Sequence, residues 1–295
     1  MKRWLKFIIT RFPPLAYIPL IAAFTMACFM LAGKAFAMPE YLSYRFIATA
    51  FITLLFFFHL RVFDEIKDYN TDIHVHPERP LASGAIRVKE AKAVAFCVVA
   101  AELLLGVFLG WAGFVGLVFA VGYSVLMYRE FFIKQWLVKR MVMYALTHTP
   151  VSALLTLFLF SAFANLFFWQ APLFYVFFAF ANWAISNVFE FSRKTFSADQ
   201  ETGAESYSKK WGIPRASLFV SFMLVVSSTF MLTGIYILEQ NMLWFVLFGS
   251  LCMLSLGFTV LFMVKKTGLS ARLFQGFHSA SILLFYSIII TGVLV

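Results

Sequence analysis

The chain has 295 residues, of which 62% are hydrophobic and 13% are charged, and its formal net charge is +10. This composition excludes a soluble domain, because soluble domains contain about 45–50% apolar and about 25% charged residues. A basic balance is typical of nucleic-acid-binding proteins, but no basic stripe stands apart from the apolar runs. The Lys and Arg residues instead mark the cytoplasmic loops of a membrane protein, so we expect no nucleic-acid partner.

Nine apolar runs predict nine transmembrane helices, since one crossing takes about 20 mostly apolar residues. Strands are excluded because an open sheet cannot satisfy its backbone hydrogen bonds in lipid. The predicted fold is therefore an all-α, polytopic helix bundle that forms a single membrane domain over residues 1–295. The predicted spans cover residues 14–36, 42–62, 90–110, 112–128, 141–164, 170–190, 215–238, 241–264 and 273–294.

The distribution of basic residues predicts that the N-terminus is cytoplasmic. With nine spans, five segments face the cytoplasm, and they contain every Lys and Arg residue except Lys34 and Arg45. Inverting the topology, or adding or removing a span, would destroy this bias. We therefore expect a multi-pass protein of a cytoplasmic (inner) membrane. The five cytoplasmic segments are 1–13, 61–92, 129–140, 190–215 and 265–272.

Acidic residues are concentrated in two of these loops. Ten of the 14 Asp and Glu residues lie in residues 61–92 and 190–215. Membrane topology depends on Lys and Arg and requires no acidic residues. The concentration of carboxylates therefore indicates a function for these two loops.

In the first loop, Asp64, Asp68 and Asp72 are spaced four residues apart. If the second helix continues past the membrane surface, the three carboxylates lie on one helix face, where they repel one another. A divalent cation would compensate this repulsion, and Mg²⁺ in particular takes one or two carboxylates together with waters and substrate phosphates. The alternative interpretation is a solvated helix end with scattered acids.

Both loops also carry cations next to their acids. Arg79 lies in a Pro- and Gly-rich turn, a pattern that predicts a rigid turn presenting a guanidinium group to a phosphate. The second loop places Arg193 and Lys194 between Glu190 and Asp199. This mixture of acids and cations suits a second half-site for a metal-bound anion. An ordinary salt-bridged loop would show the same sequence pattern.

One acid, Glu102, lies in the middle of the third predicted span. An acidic residue at that depth is costly and usually faces the interior of the bundle. It would be either a protonated structural group or a base on the acceptor side of a reaction. The sequence around His148, Thr149 and Pro150 predicts a kink in the fifth span.

These motifs resemble those of the UbiA superfamily of intramembrane prenyltransferases, and the resemblance covers nearly the whole chain. The first family motif, Asn-Asp-x-x-Asp-x-x-x-Asp, is followed by an Arg-Pro-Leu-x-Ser-Gly turn. Here the motif reads Asp64-Glu65-x-x-Asp68-x-x-x-Asp72, and the turn reads Arg79-Pro80-Leu81-Ala82-Ser83-Gly84. Two positions differ from the family motif, and both keep oxygen ligands.

The second family motif is only partly present. Its tail, Asp-x-x-x-Gly-x-x-[Ser/Thr] with a further Gly, is matched by Asp199, Gly203, Ser206 and Gly212. The aspartates expected upstream are replaced by Thr195 and its neighbours. In this respect the chain is similar to a divergent bacterial subgroup, and the number of metal ions is left open.

The resemblance implies a Mg²⁺-dependent enzyme that ionises an isoprenyl diphosphate and transfers the prenyl group to an aromatic or lipid acceptor, which stays unidentified. Two alternatives remain: a membrane-embedded terpene cyclase of the same superfamily, and a non-catalytic isoprenoid-diphosphate binder or transporter. The implied catalytic residues are Asp64, Asp68, Asp72 and Asp199. The implied metal ligands are those four together with Glu65 and Glu190. The implied diphosphate contacts are Arg79, Lys139, Arg140, Arg193 and Lys194.

Overall fold

The structure is a computed structural model that describes residues 2–36, 43–201, 205–238 and 241–294. Within these ranges the chain forms thirteen α-helices and no strand. In chain order the first seven are α1 (Lys2–Arg11), α2 (Pro14–Gly33), α3 (Tyr44–Lys67), α4 (Tyr69–Val75), α5 (Val88–Val107), α6 (Gly110–Tyr128) and α7 (Lys134–Val138). The remaining six are α8 (Met141–His148), α9 (Val151–Ala164), α10 (Leu173–Ser192), α11 (Tyr207–Leu238), α12 (Met242–Lys265) and α13 (Gly268–Leu294).

The prediction of an all-α membrane protein is confirmed. In the described part of the chain, eight segments are long and apolar enough to cross a membrane, and α8 and α9 together form one of them. These eight match eight of the nine predicted spans. The third predicted span is helical as α5, but three charged residues, Glu90, Lys92 and Glu102, fall within every 18-residue stretch of this helix. The chain is thus an integral, multi-pass protein, and the count of nine spans stays a prediction.

Local sequence signals explain where several helices begin and break. The side chain of Ser43 accepts a hydrogen bond from the Phe46 amide at the start of α3, and Asn241 caps α12 in the same way. The predicted kink of the fifth span is present, because α8 ends at His148 and α9 begins at Val151. In α11 the backbone leaves helical geometry at Gly212, whose φ is +75°.

The chain divides into two compact units, of which the first comprises Met1–Trp136 and Phe158–Trp169. Within it, α3 packs against α2, α5 and α6. A buried apolar cluster joins α1, the end of α3, the turn after α4 and the start of α5. Its members are Phe7, Val62, Leu81, Ile86, Ala91 and Ala95. The first acidic loop therefore rests on a packed core.

The second unit comprises Leu137–Leu157 and Gln170–Val295. Helix α10 packs against α11 and α13, and α12 packs against the same two helices. Hydrogen bonds link these helices internally: the Tyr286 hydroxyl donates to Asn182 Oδ1 at 2.7 Å, and Ser255 Oγ lies 2.8 Å from His278 Nε2. Such interhelical bonds are one source of helix association in a bilayer, where the hydrophobic effect between helices is absent.

Candidate functional site

The first acidic loop begins where α3 ends. Asp68 closes α3 and precedes α4, and its amide donates to the Asp64 carbonyl oxygen at 2.9 Å. The Asp72 amide in turn donates to the Asp68 carbonyl oxygen at 2.9 Å. Helical backbone bonding therefore continues through the motif, and the three aspartates follow one another at successive turns. The expected row exists in the backbone, but its three side chains have different surroundings.

Asp72 is bound by the predicted phosphate ligand. Arg79 Nη1 donates to both carboxylate oxygens of Asp72, at 2.6 and 2.7 Å, and Asp72 is buried. The predicted turn that carries Arg79 is present: the Ser83 amide donates to the Arg79 carbonyl oxygen at 2.8 Å, and Leu81 is buried in the core cluster. In this state the guanidinium group of Arg79 faces an acid of its own loop.

Asp64 has a weaker partner. Its Oδ1 lies 3.3 Å from Lys67 Nζ, and its side chain is about half exposed, at 51%. An exposed ion pair of this kind contributes little to stability, because water and salt screen it. The carboxylate of Asp64 is therefore accessible to a competing cation.

Asp68 has no hydrogen-bond or ion-pair partner for its carboxylate within the described ranges. Desolvation by the surrounding chain raises the pKa of Asp68, although the residue keeps an exposed surface, and the nearby carboxylates of Asp64 and Asp72 raise this pKa further. Lys67 and Arg79 only partly offset these effects. A cation beside Asp68 would relieve this unfavourable environment.

Glu65 differs from the three aspartates. It is buried, and its Oε1 accepts hydrogen bonds from Arg11 Nε at 2.6 Å and from Arg61 Nη2 at 2.5 Å. Both guanidinium groups are themselves only 20% exposed. The structure thus places this predicted metal ligand inside a structural ion-pair network that connects α1 to α3.

The described residues contain no group of three or more His, Cys, Asp or Glu side chains arranged to hold a metal ion. A site built from protein ligands alone would need such a group. Two carboxylates are nevertheless sufficient for Mg²⁺ when phosphate oxygens and water supply the remaining ligands. Asp64 and Asp68 fit this requirement better than Glu65 does.

The second acidic loop lies in the second unit and is also ion-paired. Glu190, near the end of α10, contacts Arg193 Nη2 at 2.5 Å and Lys194 Nζ at 2.7 Å. The predicted metal ligand and two predicted diphosphate contacts therefore bind one another. This arrangement matches the salt-bridged loop that the sequence left open as an alternative.

Asp199 lies against the first residue of α13. A Cβ atom added to Gly268 would collide with Asp199 Oδ2, so only glycine permits this close approach. Gln200 strengthens the contact, since its Nε2 donates to the Gly268 carbonyl oxygen at 3.4 Å. Asp199 is exposed, whereas Ser206 of the same motif is buried and donates to Glu201 at 2.6 Å. Gly203, also in the motif, lies outside the described residues.

The last predicted diphosphate contacts, Lys139 and Arg140, are exposed and directly precede α8 in the second unit. Arg140 forms the N-terminal boundary of that helix. The position suits a cation that reaches toward an anion from a helix end, and its contact with a diphosphate stays a prediction.

A buried polar chain that the sequence only partly indicated links three helices of the first unit. His59 Nδ1 of α3 lies 2.7 Å from Glu102 Oε1 of α5, and His59 Nε2 lies 3.0 Å from Ser124 Oγ of α6. The Ser124 hydroxyl donates to the Val121 carbonyl oxygen at 2.7 Å, which leaves its oxygen available as an acceptor toward His59 Nε2. His59 therefore joins α5 to α6 through its two ring nitrogens.

The sequence indicates Glu102 as a buried polar residue, but it does not indicate His59 or Ser124. All three side chains are fully buried. The available signal was that polar side chains in apolar spans usually face one another inside the bundle. The structure favours the structural role of Glu102 over the role of an acceptor-side base.

Comparison with known proteins provides evidence on the family and fold of this chain that is independent of the site geometry. The family model described as the UbiA prenyltransferase family matches residues 21–287. A search of curated proteins finds no match. Among solved structures, a UbiA homologue from Aeropyrum pernix K1 without ligand has a TM-score of 0.66 at 14% identity, and the alignment covers 95% of this chain and 97% of that one.

Two further solved structures share this fold. A structure described in work on digeranylgeranylglyceryl phosphate synthase has a TM-score of 0.64 at 16% identity, with 99% of both chains covered. A UbiA homologue from Archaeoglobus fulgidus bound to DMAPP and Mg²⁺ has a TM-score of 0.55 at 15% identity, with 94% of this chain and 99% of that chain covered. At these identities the likeness extends to the fold alone.

Proposed function

The chain belongs to the UbiA prenyltransferase family, and on that premise we propose that it is a Mg²⁺-dependent intramembrane prenyltransferase. It ionises an isoprenyl diphosphate and transfers the prenyl group to an acceptor. The observation that carries the proposal is the lone carboxylate of Asp68, which lies one helical turn from the half-exposed Asp64 at the end of a membrane-spanning helix. The UbiA homologues whose structures contain DMAPP or GPP with Mg²⁺ support the same chemistry.

Asp64 and Asp68 are the residues that we expect to hold Mg²⁺. Bound there with the donor, the metal ion would neutralise the negative charge that builds up on the leaving diphosphate. The two aspartates provide oxygen ligands of the type Mg²⁺ prefers, and neither is buried in a strong ion pair. Glu65 keeps Arg11 and Arg61 in place and contributes to the site only through them.

Arg79 and Lys67 provide the charge that binds the donor. In the described state Arg79 contacts Asp72 and Lys67 contacts Asp64. When a diphosphate enters, both cations can exchange a carboxylate for a phosphate oxygen without leaving their loop. A guanidinium group binds phosphate with two parallel hydrogen bonds, which makes Arg79 the stronger contact. This exchange frees Asp72 as a further oxygen ligand.

The second loop contributes in a similar way. Arg193 and Lys194 are held by Glu190, with 48% and 32% of their side chains exposed, so both can turn toward a phosphate. We assign Lys139 and Arg140 the same class of role, since they are exposed cations at a helix start. Asp199, placed against Gly268, supplies the carboxylate of this loop. The bias of Lys and Arg supports our assignment of both loops to the cytoplasmic side of the membrane.

The proposal is tested by the release of pyrophosphate. Purified protein in detergent is given geranyl, farnesyl or geranylgeranyl diphosphate, with Mg²⁺ or with a chelator, and with or without candidate aromatic and lipid acceptors. We expect release that requires both Mg²⁺ and an acceptor. Saturable donor binding without release would show a binder or transporter, and release without any acceptor would show a cyclase; either result would contradict the proposal.

A further inference from the structure

The amphipathic helix α1 has three distinct faces. In a helix, residues four positions apart lie on the same face. One face of α1 carries Arg3, Phe7 and Arg11, a second carries Leu5 and Ile9, and a third carries Lys2 and Lys6. Each face has a different chemistry, and only the first is explained by the contacts of the folded chain.

The first face attaches α1 to the acidic loop. Phe7 is fully buried in the core cluster that also contains Leu81 and Val62. Arg11 donates to the buried Glu65 at 2.6 Å, and Arg3 lies 3.3 Å from Glu90 at the start of α5. The position of α1 is therefore coupled to the end of α3 and to the turn that carries Arg79.

The second and third faces have no partner in the described part of the chain. Leu5 and Ile9 are 58% and 59% exposed. Lys2 and Lys6 are exposed as well, and neither forms an ion pair with any described residue. An apolar face beside a cationic one is the pattern of a helix that lies in the headgroup region of a bilayer.

The connection to α2 places α1 at the membrane surface. Only Phe12 and Pro13 separate α1 from Pro14, where the first candidate span begins. Two residues reach about 7 Å at most, so the Arg11 end of α1 has to stay at the level where α2 enters the lipid. The contacts of Phe7 and Arg3 hold the rest of the helix against the end of α3 and the start of α5. Any partner of its two unpaired faces therefore has to be present at that level.

We propose that α1 is a binding surface for anionic lipid headgroups: Leu5 and Ile9 insert at the acyl boundary while Lys2 and Lys6 contact the headgroups. An acidic soluble protein would satisfy the lysines but would leave Leu5 and Ile9 exposed. A bilayer with anionic headgroups satisfies both faces at once. Each basic residue near such a surface contributes about 1 kcal/mol.

The proposal is tested by hydrogen–deuterium exchange of the full-length protein in two kinds of lipid nanodisc. One contains phosphatidylcholine alone, and the other contains phosphatidylcholine mixed with phosphatidylglycerol. We expect the α1 amides to exchange up to about 30-fold more slowly with the anionic lipid, which corresponds to about 2 kcal/mol for two lysines. The double variant Lys2→Gln/Lys6→Gln should lose this difference.

Lys265→Gln/Lys266→Gln is the matched control, because it removes the same number of exposed charges from the C-terminal end of α12 in the other unit. The control should keep the dependence of α1 exchange on lipid. The proposal is overturned if phosphatidylglycerol leaves α1 exchange unchanged in the parent protein, or if the control variant loses the effect to the same extent. The side chains of the replaced lysines make no described contacts, so both variants should fold normally.

A consequence for regulation rests on the proposed function. Because Arg11 and Phe7 join α1 to the acidic loop, anionic lipid should also increase Mg²⁺-dependent pyrophosphate release, and Lys2→Gln/Lys6→Gln should lose that increase. The exchange experiment needs no activity, so lipid binding by α1 can hold even if the proposed reaction fails. Unchanged activity together with a clear exchange effect would remove only the regulatory consequence.

Discussion

Two acids in the first motif, three positions apart, should respond to substitution in opposite ways. Glu65 is buried between Arg11 and Arg61, whereas Asp68 has no described partner for its carboxylate. We expect Glu65→Gln to lower the stability of the protein and to leave its magnesium dependence unchanged. Asp68→Asn should strongly reduce magnesium-dependent turnover and leave stability unchanged. The comparison separates a structural carboxylate from a metal ligand.

The magnitude for Glu65→Gln follows from its two contacts. Each hydrogen bond to a charged group contributes about 1.5–3 kcal/mol. Because both arginines keep some exposure and can rehydrate, the lower limit applies, and the loss is about 3 kcal/mol. For a chain of this size, 1 kcal/mol corresponds to about 2–4 °C, so the melting temperature should fall by about 6–12 °C.

For Asp68→Asn the expected effects are reversed. The folded environment disfavours the charged form of Asp68, since desolvation raises its pKa, so a neutral side chain costs no stability. The melting temperature should change by no more than about 2 °C. Loss of one group that stabilises developing charge typically costs about 10²–10³-fold in rate, and pyrophosphate release should fall by that amount.

Both variants are compared by thermal melting in detergent and by pyrophosphate release over a range of Mg²⁺ concentrations. Glu78→Gln is the control, because this loop carboxylate is 72% exposed and should affect neither measurement. If Glu65→Gln raises the Mg²⁺ requirement without lowering the melting temperature, Glu65 is a metal ligand and its assignment to the ion-pair network is wrong. If Asp68→Asn retains full turnover, the proposed magnesium site is wrong.

Three further predictions follow from other parts of the structure. Glu102→Ala removes the partner of His59 and should cost about 1–2 kcal/mol, the range of interhelical hydrogen bonds in membranes, whereas Glu102→Gln should retain most of the melting temperature. Gly268→Ala should displace Asp199 and lower pyrophosphate release by up to about 10²-fold, while Gly276→Ala, where a Cβ meets no atom within 4 Å, should not. Mg²⁺ should raise the melting temperature only when a non-hydrolysable isoprenyl diphosphate analogue is present. The reason is that two carboxylates complete the ligand set of Mg²⁺ only together with phosphate oxygens. Equal stabilisation by Mg²⁺ alone would contradict this requirement.

The sequence predicts the helices well because each apolar run is a local property. Eight of the predicted spans are found as helices that can cross a membrane. The fifth span breaks at Thr149 and Pro150, because proline lacks a backbone N–H and interrupts helical hydrogen bonding. The exception is α5, where charged residues at the N-terminal end and Glu102 in the middle leave no 18-residue stretch with fewer than three charges. Glu102 is satisfied by His59 from another helix, which no local average can detect.

The candidate site was only partly predictable because several of its contacts join residues that are far apart in the chain. The row of aspartates and the turn of Arg79 follow from spacing and turn chemistry. The contact of Glu65 with Arg11 joins two helices far apart in the chain, and the contact of Asp199 with Gly268 joins a loop to a distant helix start. Spacing predicts which residues share a face, but it does not predict which cation neutralises which acid.

The acids of the first motif differ in how strongly each is ion-paired. This difference ranks them by how readily each carboxylate can bind a cation. If all of them were unpaired, their mutual repulsion would disfavour the fold without a metal, and if all were buried in ion pairs, none could attract a cation. Asp68 is unpaired and Asp64 is paired weakly at the surface, whereas Asp72 is buried and bound by the guanidinium group of Arg79. On the proposed function, Asp68 and Asp64 would be the first carboxylates to hold Mg²⁺, and Asp72 would become available only when a phosphate replaces it at Arg79. Binding of the donor, rather than of the metal alone, is thus what completes the site.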